Sequence, residues 1–178
     1  MRIVVNLPAF RLDVLSGHST VRSFPITIGA HGYETPTGEY TISEIIFNPW
    51  WHPPQSEWAI GKSPVAPGPQ NPMGRAKLQF DGLLYIHGSS NVAALGDVGS
   101  HGCVRLANDD VLELARLVQV YGAPESEVIV EAAVANPGRS VKLDLGRSIA
   151  LEIRYDVAEV RDGFLLVHPD VYGLRRNR

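Results

Sequence analysis

Cysteine is almost missing from this chain: among its 178 residues there is one, Cys103. A single thiol excludes an intrachain disulfide, so the fold must be held by its own core. Long apolar runs are missing too. Nothing approaches the roughly 18 consecutive apolar residues of a membrane-spanning helix. Pro8 interrupts the opening stretch too early for it to serve as the apolar region of a signal peptide. That opening leaves two expectations, a cytoplasmic protein or one whose export segment lies outside this sequence. An excess of positive charge is also lacking. The 16 Lys and Arg against 19 Asp and Glu give a net charge of −3, which argues against a nucleic-acid partner. Arg175, Arg176 and Arg178 form a small basic tail of the kind found at solvated termini. No internal repeat or low-complexity tract is present.

What is present reads mainly as strands. Phe10, Leu12 and Val14 alternate with Arg11 and Asp13, the period-2 pattern of a half-buried strand. With the turn cluster Ser16-Gly17-His18-Ser19 and the run 21–28, residues 3–28 are expected to form a meander or hairpin. Thr35-Pro36-Thr37-Gly38 marks a turn before another strand at 39–46. Lys77 to Phe80 and Leu83 to Ile86 flank Asp81-Gly82, a hairpin signal. One helix stands out, capped by Asn108 or Asp109, apolar through Val111, Leu112, Leu114, Ala115, Leu117 and Val118, and ended by Gly122. Val128-Ile129-Val130 reads as a strand. The runs 141–145, 149–155 and 164–167 read as two or three antiparallel strands, joined to the main sheet or forming a satellite. The expected fold is mainly β, a sandwich or curved mixed sheet with one main α-helix beside the Cys103 loop.

Residues 47–74 stand apart. They hold Pro49, Pro53, Pro54, Pro64, Pro67, Pro69 and Pro72, a density that excludes a regular helix or central strand. Trp50, Trp51 and Trp58 lie among them, whereas disordered linkers are poor in aromatics. An ordered lid over a cleft is the expectation.

Chemistry concentrates in two short segments, Tyr85-Ile86-His87-Gly88-Ser89-Ser90 and Gly99-Ser100-His101-Gly102-Cys103-Val104-Arg105-Leu106. A lone cysteine is commonly a small buried hydrophobe. Here it lies between a glycine-rich loop and the start of a helix, where unpaired N–H groups would lower its pKa and could hold an oxyanion. A nucleophilic cysteine needs a base, and His87 and His101 are both near in sequence. Gly88 would let its own carbonyl approach the His87 ring and fix the tautomer. A zinc site built from His87, His101 and Cys103 is a further reading, but no fourth ligand completes a standard set. On composition alone, buried thiol, zinc ligand and nucleophile all stay open.

The order His87-Gly88-Ser89, a spacer, then Ser100-His101-Gly102-Cys103-Val104-Arg105 resembles the signature of the L,D-transpeptidase (YkuD-type) catalytic domain. Other parts resemble the family in order. These are the opening strand over 4–12, the turn Glu34-Thr35-Pro36-Thr37-Gly38, and Pro67-Gly68-Pro69-Gln70-Asn71-Pro72-Met73-Gly74. The last is similar to the lid of the periplasmic subgroup that anchors lipoproteins or makes 3→3 cross-links. The resemblance implies a catalytic domain over 1–130 with its lid at about 47–74, and a C-terminal β extension, 131–178, packed on the same domain. It implies that Cys103 attacks the carbonyl of the third, diamino-acid residue of a peptidoglycan tetrapeptide stem, releasing D-alanine and forming a thioester. His87 would be the base, with Gly88 and His101 supporting it, and the Gly102 and Cys103 N–H groups would be oxyanion donors. Arg105 would pair with a substrate carboxylate, and Ser100, Tyr85 and Trp51 would line the substrate site. No metal or other cofactor is implied. The partners would be stem peptides and, in the anchoring case, a murein-bound lipoprotein, at a periplasmic or cell-wall location. A hydrolase on the same scaffold and a non-catalytic cell-wall binding module are the alternatives.

Overall fold

The computed structural model describes residues 1–174. The basic tail of Arg175, Arg176 and Arg178 lies outside the described residues. Among the described residues, twelve strands and two α-helices follow one another, with three short 3-10 turns between them. The first nine are strands: β1 (Arg2–Asn6), β2 (Arg11–Ser16), β3 (Ser19–Pro25), β4 (Ile28–Gly29), β5 (Gly38–Phe47), β6 (Ala76–Asp81), β7 (Leu84–Ser89), β8 (Val98–Ser100) and β9 (Val104–Ala107). Two helices come next, α1 (Asn108–Gly122) and α2 (Glu127–Ala135), and then β10 (Val141–Arg154), β11 (Ala158–Arg161) and β12 (Phe164–Val167).

Eight strands form one curved mixed sheet in the order β3-β2-β1-β10-β5-β6-β7-β9. The meander expected over 3–28 is β1, β2 and β3, paired antiparallel. β1 pairs parallel with β10, and β7 pairs parallel with β9. One face is sealed by Ile3, Val5, Leu12, Ile42, Ile45, Phe47, Leu78, Ile86, Val104 and Leu106, all essentially without exposure. Helix α1 lays Val111, Leu114, Ala115 and Val118 on that layer, at the i, i+3, i+4, i+7 spacing of an amphipathic helix.

Four expectations need correction. Val128-Ile129-Val130 is helical, not a strand, because α2 opens after a 3-10 turn with Pro124 at its start and buries Val130 and Ala133, three residues apart. There are therefore two helices rather than one. Neither Asn108 nor Asp109 caps α1: the cap position is Ala107, and the Asn108 side chain is used elsewhere. β2 is covered on both faces, since Asp13 is also buried, held by Arg11, Ser23 and Arg161.

The stretch after 131 divides. β10 lies inside the main sheet, between β1 and β5, with a bulge between Asp144 and Ile149. β11 and β12 form a separate hairpin. That hairpin is tied to β2 by Arg161–Asp13 at 3.0 Å and Arg11–Glu159 at 2.8 Å. Arg11 is the main cause that brings the Glu159 carboxyl down to about 2.

Candidate active site

Strand register assembles the site. Lys77 on β6 pairs with His87 on β7, and His87 pairs with Arg105 on β9. Ile86 pairs with Val104, so Cys103, just before β9, stands level with Tyr85. Alternation then puts Lys77, Gln79, Tyr85, His87, Cys103 and Arg105 on one face, while Leu78, Ile86, Val104 and Leu106 fill the core behind. His87 and Cys103 are diagonal neighbours across adjacent strands, on the order of 8 Å between Cα atoms, a separation two side chains can close.

The imidazole is fixed by its surroundings. His87 is buried, and its Nδ1 lies 2.8 Å from the Gly88 carbonyl oxygen. A carbonyl only accepts, so Nδ1 carries the proton and Nε2 keeps the lone pair. Burial lowers the His87 pKa to about 4, helped by Arg105 and Lys77 and opposed by the Gly88 and Met73 carbonyls. The ring is neutral at pH 7.

Two glycines let the segment 73–75 close on this strand. A Cβ at Gly88 would collide with Asn108 Oδ1 and approach Val111 Cγ1 to 2.9 Å and the Arg75 nitrogen to 3.0 Å. A Cβ at Gly74 would collide with Asn108 Oδ1 and come within 2.7 Å of the Gly88 Cα. Asn108 joins the two by accepting the Arg75 N–H at 3.0 Å.

The thiol differs from the sequence expectation. Cys103 precedes a strand rather than a helix, so no helix entrance depresses its pKa. Burial pushes the thiol up, against the Tyr85 N–H, Arg105 and Lys77, which pull it down. Its sulfur lies 3.9 Å from the Leu83 carbonyl oxygen and, among the described residues, makes no hydrogen bond to His87. The resting pair is a neutral thiol beside a neutral imidazole.

The loop before Cys103 is braced by Ser100. Its buried hydroxyl donates to the Cys103 carbonyl at 2.6 Å and accepts the Gly102 N–H at 3.1 Å. Ser100 thus serves the turn, and the Gly102 N–H expected to hold an oxyanion is already engaged. Gly102 sits at φ +97° against Leu84, with the Tyr33 and Glu34 carbonyls 3.7 and 3.8 Å from where a Cβ would be. The Glu34-Thr35-Pro36-Thr37-Gly38 turn therefore flanks the Cys103 loop.

His101 points away from a shared ligand set. Its ring stacks on Trp58 at 4.0 Å and makes a T-shaped contact with Tyr33 at 4.7 Å, while the Lys62 ammonium lies 4.9 Å from the centre of the Trp58 ring. Among the described residues, no three His, Cys, Asp or Glu side chains group as metal ligands.

Trp58 is thus the aromatic of 47–74 that reaches this loop. Trp51 instead pairs through its backbone with Val65, by two bonds of 2.9 Å. Asn71 ties the same segment together through the Pro49, Val65 and Ala66 carbonyls.

Among the described residues, no carboxylate pairs with Arg105. Its Nη1 donates to the Gly99 carbonyl at 3.2 Å and its buried Nε has no hydrogen-bond partner among the described residues. Its backbone is locked by paired bonds of 2.9 Å to Thr27. Tyr85 is half-buried with its ring under the Lys77 ammonium, at 4.5 Å. Sequence reasoning gave no site role to Tyr33, Thr27 or Lys77, named Trp58 only as one of three lid tryptophans, and took Asn108 for a helix cap. Lys77 and Gln79 had a visible signal, since they alternate with the apolar Ala76, Leu78 and Phe80 beside the His87 strand.

The buried ring makes stability depend on pH. Unfolded, His87 titrates near 6.5, and folded near 4, so the unfolded chain takes up the proton first. This contribution is fully present above pH 6.5 and is lost as pH falls toward 4, up to roughly 3 kcal/mol. Urea unfolding across that window should show the slope in the parent protein and a flatter one in His87→Gln; equal slopes would refute a neutral buried ring.

A lone thiol and a carbonyl-held imidazole on one face of a curved mixed sheet match the family to which the sequence leads. Residues 1–141 match the L,D-transpeptidase catalytic domain, YkuD, and the chain belongs to that family. Two relatives illustrate this. The probable L,D-transpeptidase YbiS of Escherichia coli is 36% identical over 127 residues, 66% of this chain and 42% of that protein. The probable L,D-transpeptidase ErfK/SrfK of Salmonella typhimurium is 39% identical over 118 residues, 61% of this chain and 38% of that protein. The chain thus spans about two fifths of their length. The NMR structure of the catalytic domain of the E. faecium L,D-transpeptidase shares the fold, with a TM-score of 0.55 at 15% identity, over 86% of this chain and 95% of that one.

Proposed function

We propose that this chain is an L,D-transpeptidase acting on peptidoglycan tetrapeptide stems. The observation that carries the reading is the shared face of Cys103, the neutral His87 ring and an Arg105 guanidinium that meets no carboxylate among the described residues. Family membership supports the substrate class.

In this reading Cys103 Sγ attacks the carbonyl carbon of the third stem residue as its proton passes to His87 Nε2. Because both groups start neutral, the proton moves during attack rather than before it. The oxyanion is held by backbone N–H groups of the Cys103 turn; Gly102 contributes only if Ser100 releases it. The carbon–nitrogen bond to D-alanine breaks, and the imidazolium returns its proton to the leaving amine. An incoming amine then attacks the thioester, forms the new amide and restores the thiol. Arg105 holds the carboxylate of the leaving D-alanine in a two-pronged pair. Residues 47–74 act as a lid over this face, with Trp58 as the lid aromatic beside the Cys103 loop, and Tyr85 borders the substrate. A cell-wall location follows from the substrate, and a lipoprotein amine is one candidate acceptor.

Mass spectrometry of products from a defined tetrapeptide donor tests this. Release of D-alanine with an acceptor-dependent cross-linked product is expected. Release to water alone, whatever amine is added, would replace it with a carboxypeptidase, and no release would favour a binding module.

A further inference from the structure

Transfer to a stem peptide needs one cation for the leaving D-alanine, and Arg105 supplies it. The sheet offers a second. Lys77 is in register with His87 from the side opposite Arg105, so the two cations stand two strand spacings apart, roughly 10 Å, with His87 between them and Cys103 two residues before Arg105 on the same face. Lys77 is half-buried and its ammonium is set over the Tyr85 ring at 4.5 Å. A ring face orients a cation without neutralising it. Glu44, the acid that Lys77 senses, is bound to Lys142 at 2.9 Å. Among the described residues Lys77 has no ion-pair partner and Arg105 has none, although each is partly withdrawn from water. Half-buried charges carry a desolvation cost that an opposite charge recovers. Two such cations on either side of His87, on the face that also carries Cys103, fit a ligand with two separated negative groups.

We propose that Lys77 forms a second carboxylate-binding position, which selects acyl donors whose attacked residue ends its side chain in a free carboxylate. This rests on the acyl-transfer reading above. The preferred donor then has a diamino-dicarboxylic third residue. Its side-chain carboxylate reaches Lys77 while the following D-alanine carboxylate reaches Arg105, and the carbonyl between them faces Cys103. A lysine or a side-chain amide at that position leaves Lys77 unpaired and is disfavoured.

The test compares two tetrapeptide donors that differ only in whether the third residue's side-chain carboxylate is free or amidated. The parent protein should show a kcat/KM ratio of about tenfold or more for the free acid. Lys77→Gln should bring that ratio close to one, through KM, and Lys77→Arg should keep it well above one. A parent ratio of one, or an unchanged ratio in Lys77→Gln, would overturn the proposal. Calorimetric binding of both donors to the Cys103→Ala protein gives the same comparison without turnover. Selective binding with no turnover in the parent would refute acyl transfer alone; equal binding would refute the Lys77 position.

Discussion

Replacing Cys103 with alanine should reduce D-alanine release from a tetrapeptide donor by roughly 10⁴-fold or more, because no other group on that face can form the acyl intermediate. Tyr85 is a phenol whose pKa burial raises further, and Lys77 and Arg105 are cations, so none replaces the sulfur. The half-buried site loses only one atom, so the fold should survive with an unchanged circular dichroism spectrum. Intact-mass measurement adds an independent check: a carbapenem should add its mass to the parent protein and not to the variant. Turnover retained by Cys103→Ala would end the nucleophile assignment.

His87→Gln is expected to lower kcat/KM by about 10²- to 10⁴-fold, the range of a lost general base. The pH profile discriminates further. With the ring near 4 and the thiol above its ordinary value, the parent profile should stay flat from about pH 5 toward pH 9. A preformed thiolate–imidazolium pair would instead give a thiol that alkylates fully at pH 6. Rapid iodoacetamide labelling at that pH, with no rise toward pH 9, would contradict the neutral resting pair.

Much of this was legible beforehand because the informative signals are local. The Asp81-Gly82 turn fixes the hairpin of β6 and β7, and His87-Gly88 with Ser100 to Arg105 carries its own spacing. The mainly β character followed from period-2 runs. What was hidden depends on tertiary neighbours. Val128-Ile129-Val130 favours strand by its β-branching, yet α1 offers a surface that only Val130 and Ala133 of a helix can meet. The direction of the Cys103 shift was misjudged because a strand, not a helix, follows it, and burial outweighs two nearby cations. Ser100 was expected to line the substrate site, and its links to the Cys103 carbonyl and the Gly102 N–H need three-dimensional geometry to be seen. Trp58 could not be told from Trp50 or Trp51 by sequence, because all three sit in the same proline-rich stretch.

The position of β10 bears on how the chain acquires its shape. Arg2 pairs with Ala150 and Asn6 with Arg154, so β1 waits for β10, far along the chain, before it has both neighbours. Loop closure over that span precedes any reward from pairing, which makes for slow, late collapse. A nascent polypeptide stopped before Val141 would leave β1 and β5 with open hydrogen-bonding edges facing each other. Such a fragment should be caught by proteases or aggregate, whereas a cut after Arg154 keeps all eight strands of the main sheet and takes the Arg161 partner from the buried Asp13.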